Sequence, residues 1–503
     1  MHPFRNPDFV ITNPHSVSHL FKKIGGEQSE LMKEYDFAVI GGGSGGYAAA
    51  RTASSLGLSV VVIEGGSELG GLCILKGCMP SKTLIESANR FRTLRHASDF
   101  GLIAGTIGYN ADKIIERKKR LVDEFAEYRA GQLVGGAFDL IRARAEFLDP
   151  HSLRVELSDG GEETVRFRSG CIATGSVINY PSVPGIAHCM TSDGLLNMNR
   201  IPASAIVLGG GPVALEMAHY LEALGARVTI LQRNSQLLTG SDRDVAEALA
   251  KSFRKRGMGV ICGTKLLRIE KEGKEGNSMS VCFEDGTAEH RLEAEVVLNA
   301  LGRRPNIDAL KLERAGVGMD GRAILTDSEQ RTTSPHLFAA GDCCGPYEVV
   351  HIAILQGETA AKNAAASLNG GQPVRMDYHL KLFACFTEPQ MAVCGMTEEE
   401  ALGSGLQIIT AAYPFADHGK SIVLGETDGF VKLIADASDG RILGGAVVGP
   451  EGSEIIHEIV VAMAFNATVG QLALIPHYHP TLSEIWTYPA EEIANKIHSN
   501  SKI

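Results

Sequence analysis

Asp36-Phe-Ala-Val-Ile40 runs into Gly41-Gly-Gly-Ser-Gly-Gly46; a helical stretch from Tyr47 to Leu56, then Gly57, and an apolar run from Leu58 to Ile63 follow, ending at Glu64. The order is strand, glycine-rich turn, helix, strand, acid. A continuous apolar run ahead of the turn reads as a buried parallel strand, and Gly57 takes the glycine position that closes a helix. Gly41 permits the tight turn, Gly43 lets the backbone approach a pyrophosphate, and Gly46 lets helix and strand pack closely. The helix N-terminus attracts the phosphates. Glu64, at the strand tip, can accept hydrogen bonds from ribose hydroxyls.

The pattern recurs. Ala205-Ile-Val-Leu208 leads into Gly209-Gly-Gly-Pro-Val-Ala214, a helix to Leu224, Gly225, and a strand ending at Leu231-Gln-Arg233. Laid over the first copy, Gly209 and Gly211 match Gly41 and Gly43, Ala214 replaces the third glycine, Gly225 matches Gly57 and Gln232 falls on Glu64. One glycine-rich turn is a weak signal. Two copies in register, each with its full strand and helix context, define two dinucleotide sites. The first carries a carboxylate suited to an unphosphorylated ribose. At the second, Arg233 could pair with a ribose 2'-phosphate while Gln232 could bond a bare ribose, so the sequence leans towards NADP without excluding NAD.

Shortly after the first unit comes Gly70-Gly-Leu-Cys-Ile-Leu-Lys-Gly-Cys-Met-Pro-Ser-Lys82. Four residues separate Cys73 from Cys78, which places a dithiol beside a nucleotide site. Pro80 is expected at the first helical position, with Ser81 to Arg92 continuing the helix. Cys78 then lies at or just before the helix N-terminus, whose positive end favours a thiolate. The other eight cysteines, Cys171, Cys189, Cys262, Cys282, Cys343, Cys344, Cys385 and Cys394, sit mostly in apolar contexts and are expected to be inert core thiols.

The whole chain sets outer bounds. Its 503 residues predict about three or four domain-sized units. A net charge of −11 argues against a nucleic-acid surface. No apolar run approaches the roughly 20 residues that span a bilayer; the best candidate, Ile455 to Ile475, is broken by His457, Glu458, Asn466 and Gln471. Residues 1–34 read as a polar arm without a targeting signal. Ten scattered cysteines do not describe a secreted disulfide scaffold. No Cys/His spacing argues for a metal; His477-Tyr-His479 alone is weak. A cytoplasmic protein with no membrane partner is expected.

Together with Ala173-Thr-Gly-Ser176, Ala300-Leu-Gly-Arg-Arg-Pro-Asn306, Phe338-Ala-Ala-Gly-Asp342 and His479-Pro-Thr-Leu-Ser-Glu484, these residues resemble the class I pyridine-nucleotide disulfide oxidoreductases from about Tyr35 to Ile497. The resemblance implies FAD in the first site and NAD or NADP in the second. It assigns Asp342 to the flavin ribityl or phosphate region, Thr174 and Gly175 to the crossover between nucleotide domains, and Gly302 to the NAD(P) side. It makes Cys78 the flavin-facing sulfur and Cys73 the one that exchanges with substrate. It pairs Lys82 with Glu216 near the flavin and nicotinamide rings. His479 becomes the base: a thiol of pKa ~8.5 is mostly protonated at neutral pH, and histidine suits its deprotonation. Glu484 can hold the other ring nitrogen.

Within the family, a C-terminal tail without cysteine argues against mercuric and large thioredoxin reductases, and the complete dithiol argues against soluble transhydrogenases. Met79-Pro-Ser-Lys82 and Leu482-Ser-Glu484 look like dihydrolipoamide dehydrogenases. Gln232-Arg233 and Ala214 look like NADPH-dependent relatives, and Ile74-Leu-Lys76 departs from the usual Leu-Asn-Val. The expected function is that of a dihydrolipoamide dehydrogenase-like enzyme, passing electrons in either direction between a small dithiol, free or as a protein-bound lipoyl group, the Cys73–Cys78 pair, FAD and NAD(P). The alternatives are an NADPH-dependent reductase of glutathione type and a non-catalytic redox-sensing flavoprotein subunit. The expected fold class is α/β, with two Rossmann-like domains and a C-terminal α+β dimerisation domain. Its boundaries are FAD-binding at 35–180 and 304–374, NAD(P)-binding at 181–303 and dimerisation at 375–503. The resemblance makes the protein a homodimer in which His479 enters the partner's site.

Overall fold

The computed structural model describes residues 34–157, 160–272 and 278–500. The N-terminal arm expected at 1–34 lies outside the described residues except for Glu34.

Phe37, Ala38, Val39 and Ile40 are all buried, so the strand Glu34–Ile40 needs apolar cover on both faces and takes a central place. It pairs in parallel with Val60–Ile63 on one side and Glu162–Ile172 on the other, and Asp139–Ile141 extends the sheet in parallel. The long strand Glu162–Ile172 divides its far edge. Its first half pairs antiparallel with Ser152–Leu157, and its second half pairs in parallel with Leu337–Ala339. That late strand returns the chain to the first sheet.

The helix Ser44–Ser55 covers this sheet and crosses the helix Val350–Asn369 through alanines and glycines. A Cβ on Gly357 would fall 2.1 Å from the Gly45 carbonyl oxygen, so the crossing distance itself selects glycine.

The second parallel sheet repeats the order: Gly259–Cys262, Arg227–Gln232, Ser204–Leu208, Val296–Asn299, then Met190–Thr191. The helix Pro212–Ala223 follows its glycine turn. A three-stranded antiparallel sheet stands beside it. The third unit is a five-stranded antiparallel sheet, with Gln390–Gly395, Ile442–Gly449 and Phe430–Asp436 at its centre, covered by the helices Gly452–Ala464 and Thr487–Asn500. Trp486 is fully buried there and donates its indole N–H to the Ile455 carbonyl at 3.1 Å. The architecture is the α/β arrangement of two Rossmann-like units and a C-terminal α+β unit. Among the described residues no helix is long and apolar enough to cross a membrane.

Two local expectations are corrected. The helix at the cysteines runs Cys78–Arg95, so Cys78 is its first residue and Pro80 its third, not its first. The first N–H groups of a helix have no partner within it, so proline is tolerated throughout the first turn and does not mark its start. The first Rossmann helix likewise begins at Ser44, three residues before Tyr47.

Candidate active site

The first glycine turn is shaped by contact. Gly41 has φ +104°, and a Cβ there would lie 2.4 Å from the Ala173 carbonyl oxygen. A Cβ on Gly46 would lie 1.8 Å from the Gly41 carbonyl oxygen, whereas one on Gly43 would meet nothing within 4 Å. Gly43 therefore faces open space. Glu64 braces the turn, accepting from the Gly42 and Gly66 N–H groups at 2.6 Å each. Across the site, Asp342 accepts from the Ser176 hydroxyl at 2.6 Å, and Arg303 donates to the same Ser176 oxygen at 2.8 Å. Gly175 has φ +67°, and the buried Thr174 hydroxyl has no partner among the described residues.

A cavity of about 1960 Å³ joins the pieces. Gly43, Glu64, Thr174, Gly175 and Asp342 line one part, Cys73, Cys78 and Lys82 another, and Gly211, Glu216 and Gly302 a third. An open glycine turn at a helix N-terminus, a strand-tip carboxylate, an orphaned hydroxyl and a cavity of this size fit a dinucleotide such as FAD.

Cys73 sits in the short helix Gly71–Leu75, which the sequence did not foretell. A Cβ on Gly71 would come 2.7 Å from the Gly43 Cα, so the dithiol segment rests directly on the phosphate turn. Both cysteines are half-buried thiols. The Cys78 thiol is lowered to about 7: the Cys73 thiol hydrogen-bonds to it and the Lys82 charge adds to this, against the opposing effect of burial. Cys73 is pushed up by the same hydrogen bond and by burial. The Cys78 sulfur thus gives up its proton before that of Cys73, at the positive end of its helix.

Lys82 lies on the same helix one turn on. Its Nζ meets both oxygens of Glu216, at 2.9 and 2.8 Å. Glu216 is only 4 % exposed and also accepts the Phe386 backbone N–H at 3.1 Å. The Phe386 ring centroid is 4.7 Å from Lys82 Nζ. Phe386 had no signature in the sequence, because a backbone donor carries none.

The second turn repeats the first. Gly209 has φ +116° and would place a Cβ 2.4 Å from the Ala300 carbonyl oxygen; Gly211 is open. Ala214 is fully buried where the first unit has Gly46. The Gln232 amide turns into its own loop, donating to the Gln236 carbonyl at 3.1 Å and accepting from the Arg233 N–H at 3.0 Å. Arg233 is exposed, and no carboxylate among the described residues pairs with it.

His479 is apart from this cavity. Its Nδ1 is 3.0 Å from Glu484 Oε2, and its side chain is 76 % exposed. Within one chain the structure does not bring His479 to the dithiol. His477 is engaged elsewhere, with Nε2 at 2.6 Å from Glu458. Behind Glu484 stands His418, fully buried, which the sequence reading missed. Of the eight other cysteines all but Cys262 are buried.

Residues 35–357 match the family described as pyridine nucleotide-disulphide oxidoreductase, and residues 383–490 match that family's dimerisation domain. The chain belongs to this family: it is a flavoprotein disulfide oxidoreductase, an enzyme that uses FAD and NAD(P), and it carries the domain through which the family forms homodimers. More narrowly, it is of the lipoamide dehydrogenase type. It is 34% identical over 472 residues to a dihydrolipoyl dehydrogenase of Geobacillus stearothermophilus, covering 93% of this chain and 98% of that one. It is 35% identical over 463 residues to a dihydrolipoyl dehydrogenase of Bacillus subtilis (strain 168), covering 92% and 96%. Among solved structures, the HOCl-induced flavoprotein disulfide reductase RclA from Escherichia coli superposes with a TM-score of 0.78 at 28% identity, over 91% of this chain and 99% of that one.

Proposed function

We propose that the protein oxidises a small dithiol of dihydrolipoyl type, free or carried on a protein, and passes the electron pair to NAD(P)+. The observation that carries this reading is the likeness to dihydrolipoyl dehydrogenases over nearly the whole chain, together with Cys73 and Cys78 on the wall of the same cavity as the two glycine turns. In the oxidised enzyme the two form a disulfide. A substrate thiolate attacks the Cys73 sulfur, the Cys73–Cys78 bond breaks, and Cys78 leaves as the thiolate it is built to be. His479 of the partner subunit takes the proton of the second substrate thiol. That sulfur then attacks the first substrate sulfur, closing the substrate disulfide, and Cys73 departs and is protonated. Glu484 orients the imidazole and steadies its charged form.

When bound, FAD would supply the two-electron acceptor that links the Cys78 thiolate to NAD(P)+. Glu64 and the turn at Gly41, Gly43 and Gly46 would hold its ribose and pyrophosphate, and Asp342, Thr174 and Gly175 the neighbouring region. Lys82 and Glu216 face each other between the two nucleotide sites. Gly209, Gly211, Ala214 and Gly302 would receive the nicotinamide nucleotide, with Gln232 and Arg233 at its ribose. We place the domain boundaries at 35–180 with 304–374 for FAD, 181–303 for NAD(P) and 375–503 for dimerisation. A set of buried, unpaired thiols suits the cytoplasm.

A second reading, an NADPH-dependent reductase of small disulfides, is favoured by the exposed and unpaired Arg233 and by the likeness to a disulfide reductase. One matrix separates them: dihydrolipoamide and glutathione disulfide, each against both nicotinamide nucleotides. Turnover of dihydrolipoamide is expected. Negligible turnover with both NAD+ and NADP+ sinks the first reading.

A further inference from the structure

Glu484 has two carboxylate oxygens, and only Oε2 is taken up by His479, at 3.0 Å. Oε1 is buried and has no hydrogen-bond partner among the described residues. Facing it is the His418 ring, whose Nε2 lies 3.4 Å away and is equally buried and without a hydrogen-bond partner among the described residues. Two polar atoms that water cannot reach, each lacking another partner, are costly apart and satisfied together.

The surroundings decide which way the proton points. On its other side, His418 Nδ1 is 2.9 Å from the Ser421 hydroxyl, itself fully buried. A carboxylate only accepts, whereas a hydroxyl can donate. The tautomer that satisfies both sides carries its proton on Nε2, donates to Glu484 and accepts from Ser421. Aromatic rings fix the plane: Phe415 and Tyr488 both stand edge-on to His418, each with centroids 6.4 Å away. Tyr488 is in turn stacked on Tyr413 at 4.0 Å. Burial holds His418 below the usual imidazole range, against the pull of Glu484 and with a smaller push from His479. In the tautomer set by Ser421 the ring is uncharged and turns its Nε2–H towards Glu484 Oε1.

We infer that His418 is a positioning residue for the disulfide chemistry, the second member of a chain Ser421–His418–Glu484–His479 that holds the Glu484 carboxylate aimed at His479 Nδ1. This rests on the assignment of His479 as base. The groups facing His418 are Glu484 and His479 from the segment after Pro480 and before it, Ser421 from the helix Gly419–Leu424, and Tyr488 from the C-terminal helix.

The test compares His418→Leu with His418→Gln in the FAD-loaded dimer, using dihydrolipoamide across pH. Leucine leaves Oε1 buried with no donor, and an unpaired buried carboxylate favours its neutral form. A neutral Glu484 supports the imidazolium less, so kcat/KM is expected to fall about tenfold or more, with the acid limb of its profile moved to lower pH. FAD content and the long-wavelength absorbance of the two-electron-reduced enzyme should not change. Glutamine places an amide N–H where Nε2 stood and should restore most of the rate and the parent profile. A His418→Leu enzyme with parent kcat/KM and profile overturns the inference, as does a folded His418→Gln enzyme as impaired as a folded His418→Leu. If His418→Leu fails to retain FAD, His418→Gln and Ser421→Ala decide: a displaced profile only in Ser421→Ala supports the chain, and parent profiles in both refute it. His479→Gln separates the two layers. Should it keep dithiol turnover, the base assignment falls; should it lose turnover while His418→Leu keeps the parent profile, only the role of His418 falls.

Discussion

Lys82 and Glu216 form a two-pronged ion pair at 2.9 and 2.8 Å that ties the redox helix to the helix above the second nucleotide turn. The pair lies one turn from Cys78, and its two charges pull that sulfur in opposite directions: Lys82 lowers the thiol and Glu216 raises it. Removing either partner therefore has a signed effect on the thiolate.

Lys82→Met takes away the cation that favours the thiolate, so the Cys78 midpoint should rise from about 7. Glu216→Gln takes away the opposing charge, so the midpoint should fall. Titrating the long-wavelength absorbance of the two-electron-reduced enzyme reads both. Lys82→Met also strands a buried carboxylate, at a cost of about 3–5 kcal/mol in stability. Shifts of the same sign in the two variants would contradict the arrangement.

The two cysteines should separate cleanly. Cys78→Ser should abolish that absorbance, since the thiolate we place beside the flavin is gone. Cys73→Ala should keep it but move its midpoint upward, because the hydrogen bond from Cys73 is the largest effect lowering Cys78. An unmoved midpoint in Cys73→Ala would mean that the helix terminus and Lys82 suffice alone.

Arg233 tests the second site. It is exposed and unpaired, while Gln232 spends both ends of its amide on its own loop. Arg233→Leu should raise the KM for NADP+ about tenfold or more and leave that for NAD+ nearly unchanged. Equal changes for both nucleotides would place the 2'-position elsewhere.

How much of this was legible follows from what kind of residue each position demands. Gly41 and Gly209 could be read because a positive φ and a carbonyl at 2.4 Å admit only glycine, twice over in the same register. The start of the redox helix was misplaced by two residues because proline is as acceptable at its third position as at its first. Phe386 was invisible because it acts through its backbone. His418 was invisible because its partner is 66 residues away in sequence and nothing near His418-Gly-Lys420 marks it as more than a loop. Side chains that answer to tertiary neighbours leave no local period or spacing.

His479 supplies the strictest test of assembly. Its side chain is 76 % exposed and stands outside the cavity that holds Cys73 and Cys78. If each site takes its cysteines from one subunit and its base from the other, two inactive variants should complement. Cys73→Ala and His479→Gln homodimers each have two dead sites. In their heterodimer, one site combines both defects, and the other pairs intact cysteines with an intact histidine. Dissociating and randomly re-forming an equal mixture makes half of the dimers mixed, each with one working site of two, so about a quarter of the parent dithiol turnover should return. Separate tags on the two chains allow the heterodimer to be isolated, and it should then show about half. A heterodimer as inactive as its parents, with FAD retained, would place the base and the dithiol on the same chain.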